Sequence, residues 1–265
     1  MLMNVGAKAV VLEVLSAGES IYQGTLPVRS LVQAASVFDI AENSVRVAIV
    51  RLRAEGLLES PGRGEYRLGP SAQVVNDKIH GWRTVSSRVG NWDGSWAAVF
   101  TADLSRTDRP ALRRRQRALR YLGFEALKPG LFLRPNNLTP GIDGLRDELV
   151  ALGLDANASV FRMDELNSDQ ERRARTLWDS PGLEQTYSKL HGELTVSMGR
   201  LEELPLNDSV RESFLLGREG IRHVVLDPLL PEPLVNEDKR STMVHVLQSY
   251  CDKGLNLWAR FLAID

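Results

Sequence analysis

Between Glu42 and Glu55 the chain runs Glu42-Asn43-Ser44-Val45-Arg46-Val47-Ala48-Ile49-Val50-Arg51-Leu52-Arg53-Ala54-Glu55 and then meets Gly56, a natural helix stop. On a helical wheel of about 100° per residue, Val45, Ala48, Ile49 and Leu52 share one side, suited to packing on other helices. The opposite side carries Asn43, Val47, Val50 and Ala54, flanked by Ser44, Arg46 and Arg51. Arginine can bond a guanine edge bidentately, asparagine an adenine edge, and valine can pack on a thymine methyl. A helix whose early outward residues are small, polar or cationic suits the major groove of DNA. Farther on, Arg63 within Pro61-Gly62-Arg63-Gly64 and Arg67 within Glu65-Tyr66-Arg67-Leu68 suit phosphate or minor-groove contacts. Such contacts position a protein more than they specify sequence. The same pattern also fits a module that docks protein, with its arginines merely solvated. Residues 42–67 hold five arginines and four glutamates, so electrostatics alone does not decide between the two.

The elements that must hold these side chains are legible on either side. Residues 5–18 carry apolar residues at helical spacing, a second helical run spans Val28 to Val37, and Phe38-Asp39-Ile40 makes a turn. After the third run, Leu57–Ser60 and Glu65–Leu68 flank a glycine-rich tip and predict a β-hairpin. Helix, helix, helix, hairpin is the order of a winged helix-turn-helix. We expect such a domain over residues 1–80, with Glu42–Glu55 as its recognition helix.

From Trp82 the texture changes. A buried strand is expected over Ala97–Thr101, a helix over Ala111–Leu122, and strands over Phe124–Leu127 and Leu131–Arg134. A helix over Ile142–Leu152 and a strand over Ala158–Met163 follow. The order β-α-β-β-α-β is that of the ferredoxin-like, split βαβ arrangement, expected here over residues 81–166. Beyond Asn167 strand signals nearly vanish. Helical runs at Asp169–Trp178, Leu183–Leu201, Ser209–Val225 and Met243–Ala263 predict an all-helical C-terminal domain over residues 167–265. The expected class is therefore a multidomain α+β protein.

Composition narrows the function classes. The 265 residues suit two or three domains of roughly 100–200 residues each, and 43% hydrophobic with 25% charged residues is an ordinary globular mixture. No apolar run nears the roughly 18 residues needed to span a bilayer. Met1–Val5 shows no basic segment ahead of an apolar one, so a secretory leader is not expected and a cytoplasmic location is. Cys251 stands alone, and His80, His191, His223 and His245 show no ligand spacing, so neither a disulfide nor a metal site is expected. Asp103, just after the first middle strand, would need a second acid or a histidine for metal-assisted hydrolysis, and none accompanies it. With no glycine-rich phosphate loop or nucleophile elbow, we expect no catalytic residue and no cofactor. The net charge of −1 counts mildly against nucleic acid, although binding needs only a local positive surface.

Two further clusters carry alternatives. Arg113-Arg114-Arg115-Gln116-Arg117-Ala118-Leu119-Arg120, preceded by Arg106 and Arg109, is the densest basic stretch. It could hold DNA backbone or the phosphates of a CoA nucleotide; the plainer reading, which we adopt, is a solvated helix paired with acids of neighbouring domains. Trp92 and Trp96 could line an aromatic-acyl pocket, but packing is the expected role of such large side chains.

Several motifs in order carry a resemblance. Ser44-Val45-Arg46 followed by Arg51-Leu52-Arg53-Ala54-Glu55-Gly56-Leu57-Leu58 resembles the helix of the phenylacetate-degradation repressors, the PaaX-like regulators. Trp92-Asp93-Gly94-Ser95-Trp96 is similar to that family's Trp-Asp-Gly-x-Trp motif ahead of a strand. Leu119-Arg120-Tyr121-Leu122-Gly123-Phe124 and Leu127-Lys128-Pro129-Gly130-Leu131-Phe132-Leu133 resemble its next helix and hairpin, and Asp227-Pro228-Leu229-Leu230-Pro231 its C-terminal signature. The resemblance implies three domains, a homodimer on double-stranded operator DNA, and repression relieved by phenylacetyl-CoA or another acyl-CoA thioester. The effector-binding residues stay unassigned. This sequence departs from the pattern in its short, glycine-rich wing and its first helix, and operator and effector are the properties those departures leave open. The alternative from another class is a winged-helix interaction scaffold without specific DNA binding.

Overall fold

The computed structural model describes residues 5–18 and 24–263, apart from the side chains of residues 74, 75 and 77–79. Met1–Asn4, on which much of the leader expectation rests, lie outside the described residues. The fold is α+β, with helices and two antiparallel sheets. The chain forms two compact units, one of Met1–Trp82, His191–Ile221 and His245–Asp265, the other of Arg83–Leu190 and Arg222–Val244.

The first unit opens with α1 (Ala7–Ala17), α2 (Val28–Ser36) and α3 (Glu42–Ala54). Their apolar stripes meet in one core of Val10, Val11, Val14, Leu15, Leu31, Ala34, Val45, Ile49 and Leu52. The turn between α2 and α3 needs a left-handed residue, and Asp39 supplies it at φ 58°; aspartate tolerates that region better than most side chains. At its other end α3 stops where Gly56 takes φ 69° and Leu57 N–H donates to the Leu52 carbonyl at 2.9 Å, a helix end that satisfies an otherwise orphaned carbonyl. The hairpin strands β2 (Leu58–Glu59) and β3 (Glu65–Leu68) follow as predicted. Sequence reading missed a third strand, β1 (Leu26–Pro27), which pairs Leu26 with Tyr66 and gives the sheet the order β1-β3-β2. A helix α4 (Pro70–His80) leads into a 3-10 stretch, Gly81–Arg88.

Three long helices complete the chain: α8 (Ser180–Arg200), α9 (Leu206–Val225) and α10 (Glu237–Leu262), each with residues in both units. Within the first unit they hold α1 and α2. Arg218 pairs with Glu13 at 2.8 Å, Phe214 packs on Phe38 at 4.9 Å between ring centres, and Gln33 donates to the Phe261 carbonyl at 2.8 Å. Arg211 reaches both the Val37 carbonyl and Asp39 at 3.2 Å, fixing the turn before α3.

The second unit carries β4 (Trp96–Phe100), α5 (Arg109–Tyr121), β5 (Glu125–Lys128), β6 (Leu131–Pro135), α6 (Ile142–Ala151) and β7 (Ser159–Met163), in the predicted element order. The sheet order is β5-β6-β4-β7, antiparallel throughout. A short α7 (Ser168–Arg175) follows. Trp96 lies edge-on to Trp92 and stacks on Trp178, and all three indole N–H groups are satisfied, by the Ser95 carbonyl, Glu171 and the Gly123 carbonyl. These tryptophans are packing, as expected.

Two buried arginines were invisible to periodicity. Arg115 turns inward from α5 and donates to Asp155 at 2.8 Å. Arg134, only 1% exposed, donates to the carbonyls of Leu122, Pro135 and Pro228 and to Asn137 Oδ1. Asn137 in turn donates to the Leu229 carbonyl at 2.8 Å. The segment Asp227–Pro231 is thereby held through its backbone. Its buried Asp227 accepts from Tyr187 Oη at 2.6 Å and from Leu229 N–H at 2.7 Å. Burial brings the Arg134 pKa down to about 9 and raises those of Asp227 and Tyr187.

Candidate nucleic-acid interface

With Val45, Ala48, Ile49 and Leu52 of α3 sealed in the core, the rotation of the helix is fixed, and its other side must face outward. Asn43, Ser44, Arg46, Val47, Val50 and Arg51 are all exposed there. Val50 is 66% and Val47 42% exposed, unusual for valines on a helix with a well-filled apolar face. Among the described residues, the side chains of Asn43, Ser44, Arg51 and Arg63 make no hydrogen bond or ion pair, so their donors are available.

Arg46 is engaged. Its guanidinium holds Glu42 one turn back, Nη2 to Oε1 at 2.6 Å and Nε at 2.8 Å. Both side chains are 56% exposed, so the pair is worth only about 0.3–0.5 kcal/mol and does not bar Arg46 from another acceptor. Arg67 is similarly tied to Glu59 across the hairpin at 2.6 Å, and Glu55 to Lys8 at 2.7 Å. Three of the four glutamates in the region are therefore neutralised within the unit, while Arg51, Arg53 and Arg63 make no ion pair among the described residues. Arg63 is exposed at the hairpin tip, where Ser60 Oγ donates to the Gly62 carbonyl at 2.7 Å and Gly64 takes φ 77°. Val28 N–H donates to the Gly64 carbonyl at 2.9 Å and anchors the tip to the start of α2. This surface can offer a row of small and cationic side chains along α3 and one cation at the hairpin tip.

The remaining candidates belong to other elements. Asp103 is exposed in the turn after β4. Among the described residues no three of histidine, cysteine, aspartate and glutamate stand together as a metal site, and no helix is long and apolar enough to cross a membrane. Cys251 is half-buried on α10. The second unit contains a cavity of about 230 Å³ whose wall mixes Val85, Val89, Leu229 and Val244 with the polar side chains of Ser86, Glu237, Asp238, Arg240 and Ser241. Arg240 is itself buried and donates to the Leu230 carbonyl at 2.7 Å. No pattern in the sequence signalled this cavity, because its residues come from the 3-10 stretch and Val89 just after it, the Asp227–Pro231 segment and α10.

Comparison with known proteins matches the N-terminal part, residues 6–72, to the family model of a PaaX-like protein. Residues 89–175 match the model of the PaaX protein central Cas2-like domain. Among solved structures the chain is similar to an uncharacterized protein, Rv0674, from Mycobacterium tuberculosis. The TM-score is 0.63 and the identity 21%, over 95% of this chain and 96% of that one. No curated protein matches the chain.

Proposed function

Because the chain belongs to the PaaX-like family, we propose that it is a sequence-specific DNA-binding transcription regulator, a dimeric repressor of an aromatic-acid operon of the phenylacetate type. In this reading α1–α3 and the hairpin are a winged helix-turn-helix and α3 is its recognition helix. The sheet of the second unit is read as ferredoxin-like, its order β5-β6-β4-β7 being that of a split βαβ arrangement. The observation that carries the proposal is the outward face of α3, where Asn43, Ser44, Val47, Val50 and Arg51 are exposed and Arg46 is bound only by a weak pair. Two such helices in a dimer would occupy successive major grooves, about 34–36 Å apart.

Relief by an aryl-CoA thioester belongs to the same proposal. At about 230 Å³ the cavity of the second unit lies below the roughly 300–1,000 Å³ of sites that enclose drug-sized ligands. It would take the acyl end of a thioester and leave the nucleotide outside. An effector must favour one of two dimer geometries by differential affinity. Fluorescence anisotropy with duplexes from a random-sequence selection, with and without phenylacetyl-CoA, tests both parts. Sequence-dependent binding released by the thioester is expected; a protein with no preferred sequence would refute the regulator. The exposed Val47 and Val50 favour a second reading, a winged-helix scaffold that docks protein. Phosphate contacts must weaken steeply with salt, whereas an apolar interface would not.

A further inference from the structure

We propose that the outward face of α5, in the second unit, is a separate contact for the phosphate backbone of duplex DNA, made without reading sequence. Arg109, Arg113, Arg117 and Arg120 recur at intervals of four, four and three residues, which puts them within about 80° on a wheel of 100° per residue. At about 1.5 Å per residue the stripe is about 16 Å long, with about 6 Å between successive cations four residues apart. All four are exposed, and Arg106 and Arg114 are exposed beside them. Ala111, Arg115, Ala118 and Leu119 are buried on the other side. The Arg115–Asp155 pair, with Arg115 only 4% exposed at its side chain, locks that rotation.

The stripe differs from several other helix surfaces, where an exposed arginine holds an acid three or four residues away, as in Arg46–Glu42, Arg146–Asp143 and Arg172–Asp169. Arginines elsewhere without an ion pair among the described residues, such as Arg29, Arg53 and Arg260, stand singly rather than in a row. On α5, Arg109, Arg113 and Arg117 have no ion pair among the described residues; only Arg120 feels Glu125, and Arg114 feels Asp155. Seven arginines face two aspartates between Asp103 and Leu122. Like charges four residues apart destabilise a helix by about 0.2–0.5 kcal/mol a pair, so the free protein carries an uncompensated repulsion that a polyanion would relieve. The expectation that neighbouring acids pair this helix is met at Arg115, by Asp155, and not along the exposed stripe. A CoA nucleotide is too short to span the stripe, and the 230 Å³ cavity is lined by other residues. An acidic protein partner would want apolar residues at the centre of its contact, and the stripe has none. Guanidinium groups in a row suit duplex phosphates, which carry one charge per about 1.7 Å of axis and accept forked hydrogen bonds.

The test uses the full chain and a random-sequence 30-base-pair duplex, titrated by anisotropy at several salt concentrations, for the wild type, Arg113→Gln/Arg117→Gln, Arg113→Lys/Arg117→Lys and Arg51→Gln. Each phosphate contact contributes about 0.9 to the slope of log affinity against log salt. The double glutamine variant should lose about 1.8 of slope, and about 60-fold in affinity at 0.1 M salt referred to 1 M. The lysine variant should retain the slope, and circular dichroism melting should show no loss of fold. Arg51→Gln should weaken binding to a selected site more than to random duplex, whereas the double glutamine variant should weaken both alike. Unchanged slope and affinity in the glutamine variant would overturn the proposal, even if the wild type recognises an operator. A wild type that binds random duplex through these arginines yet prefers no sequence would sustain the α5 contact and remove the recognition role of α3.

Discussion

Arg46→Ala separates recognition from folding. In the free protein the side chain holds only Glu42, in a pair 56% exposed at both ends, and an exposed pair spaced i,i+4 is worth about 0.3–0.5 kcal/mol. Alanine has the higher helix propensity, by a few tenths of a kcal/mol, so the two effects nearly cancel and the melting temperature should move by less than about 3 °C. On DNA the balance is different. A bidentate contact to a guanine edge contributes about 1–3 kcal/mol of discrimination, from which the cost of releasing Glu42 is subtracted. The selected operator should therefore bind about 2- to 100-fold more weakly, with preference relaxed at one base position. Random duplex should change far less. Competition anisotropy against every single-base variant of the selected site reads both quantities. Equal loss on operator and random DNA would make Arg46 a phosphate contact and refute the assignment.

Tyr187→Phe removes the hydroxyl that donates to Asp227 at 2.6 Å within the buried cluster under Leu229. Leaving a buried acceptor short of a donor costs about 1–3 kcal/mol, so a lower denaturant midpoint is expected; no change would mean that water replaces the hydroxyl. Asp155→Asn tests a linkage. The bond from Arg115 and its charge hold the Asp155 carboxyl below its ordinary value of 3.8, so its stabilisation is present above 3.8 and lost as pH falls through the lower folded value. The melting-temperature gap between wild type and variant should therefore be wide at pH 5 and shrink towards pH 2.5, and a gap independent of pH would contradict the pairing. Gly69→Ala puts a methyl 2.5 Å from the Gly56 carbonyl oxygen, which is backbone and cannot swing aside. It should cost about 1–3 kcal/mol as overpacking does, visible as a lowered melting temperature.

What could be read from the sequence was what repeats locally. The sealed face of α3 followed from Val45, Ala48, Ile49 and Leu52 recurring at helical spacing, and the order of strands and helices in the second unit from alternating runs between Gly and Pro breaks. What could not be read was set by distant segments. Strand β1 is two residues long and contains Pro27, which argues against a strand; only its pairing with β3 makes it one. Helix α10 begins at Glu237, earlier than Met243, because its first turn is polar and lacks the apolar period that was followed. Arg134 stands between Leu133 and Pro135 with nothing local to mark it as buried; its partners at Leu122 and Pro228 lie 12 and 94 residues away.

The same distinction bears on how a chain of net charge −1 could bind a polyanion. Total charge counts an acid equally wherever it stands, whereas a phosphate feels mainly the charges within a Debye length, about 8 Å at physiological salt. Near α3, Glu42, Glu55 and Glu59 are each held by a cation of their own unit, and Arg51 and Arg63 remain without ion pairs among the described residues. Along α5 the cations outnumber nearby acids outright. Pairing on one surface and its lack on the other predict different salt responses. Loss of α5 arginines should flatten the slope, whereas loss of Glu42, through Glu42→Gln, should free Arg46 and strengthen binding about twofold with little change in slope. If Glu42→Gln instead weakens operator binding, the glutamate is positioning Arg46 for the base, and the pair is part of recognition.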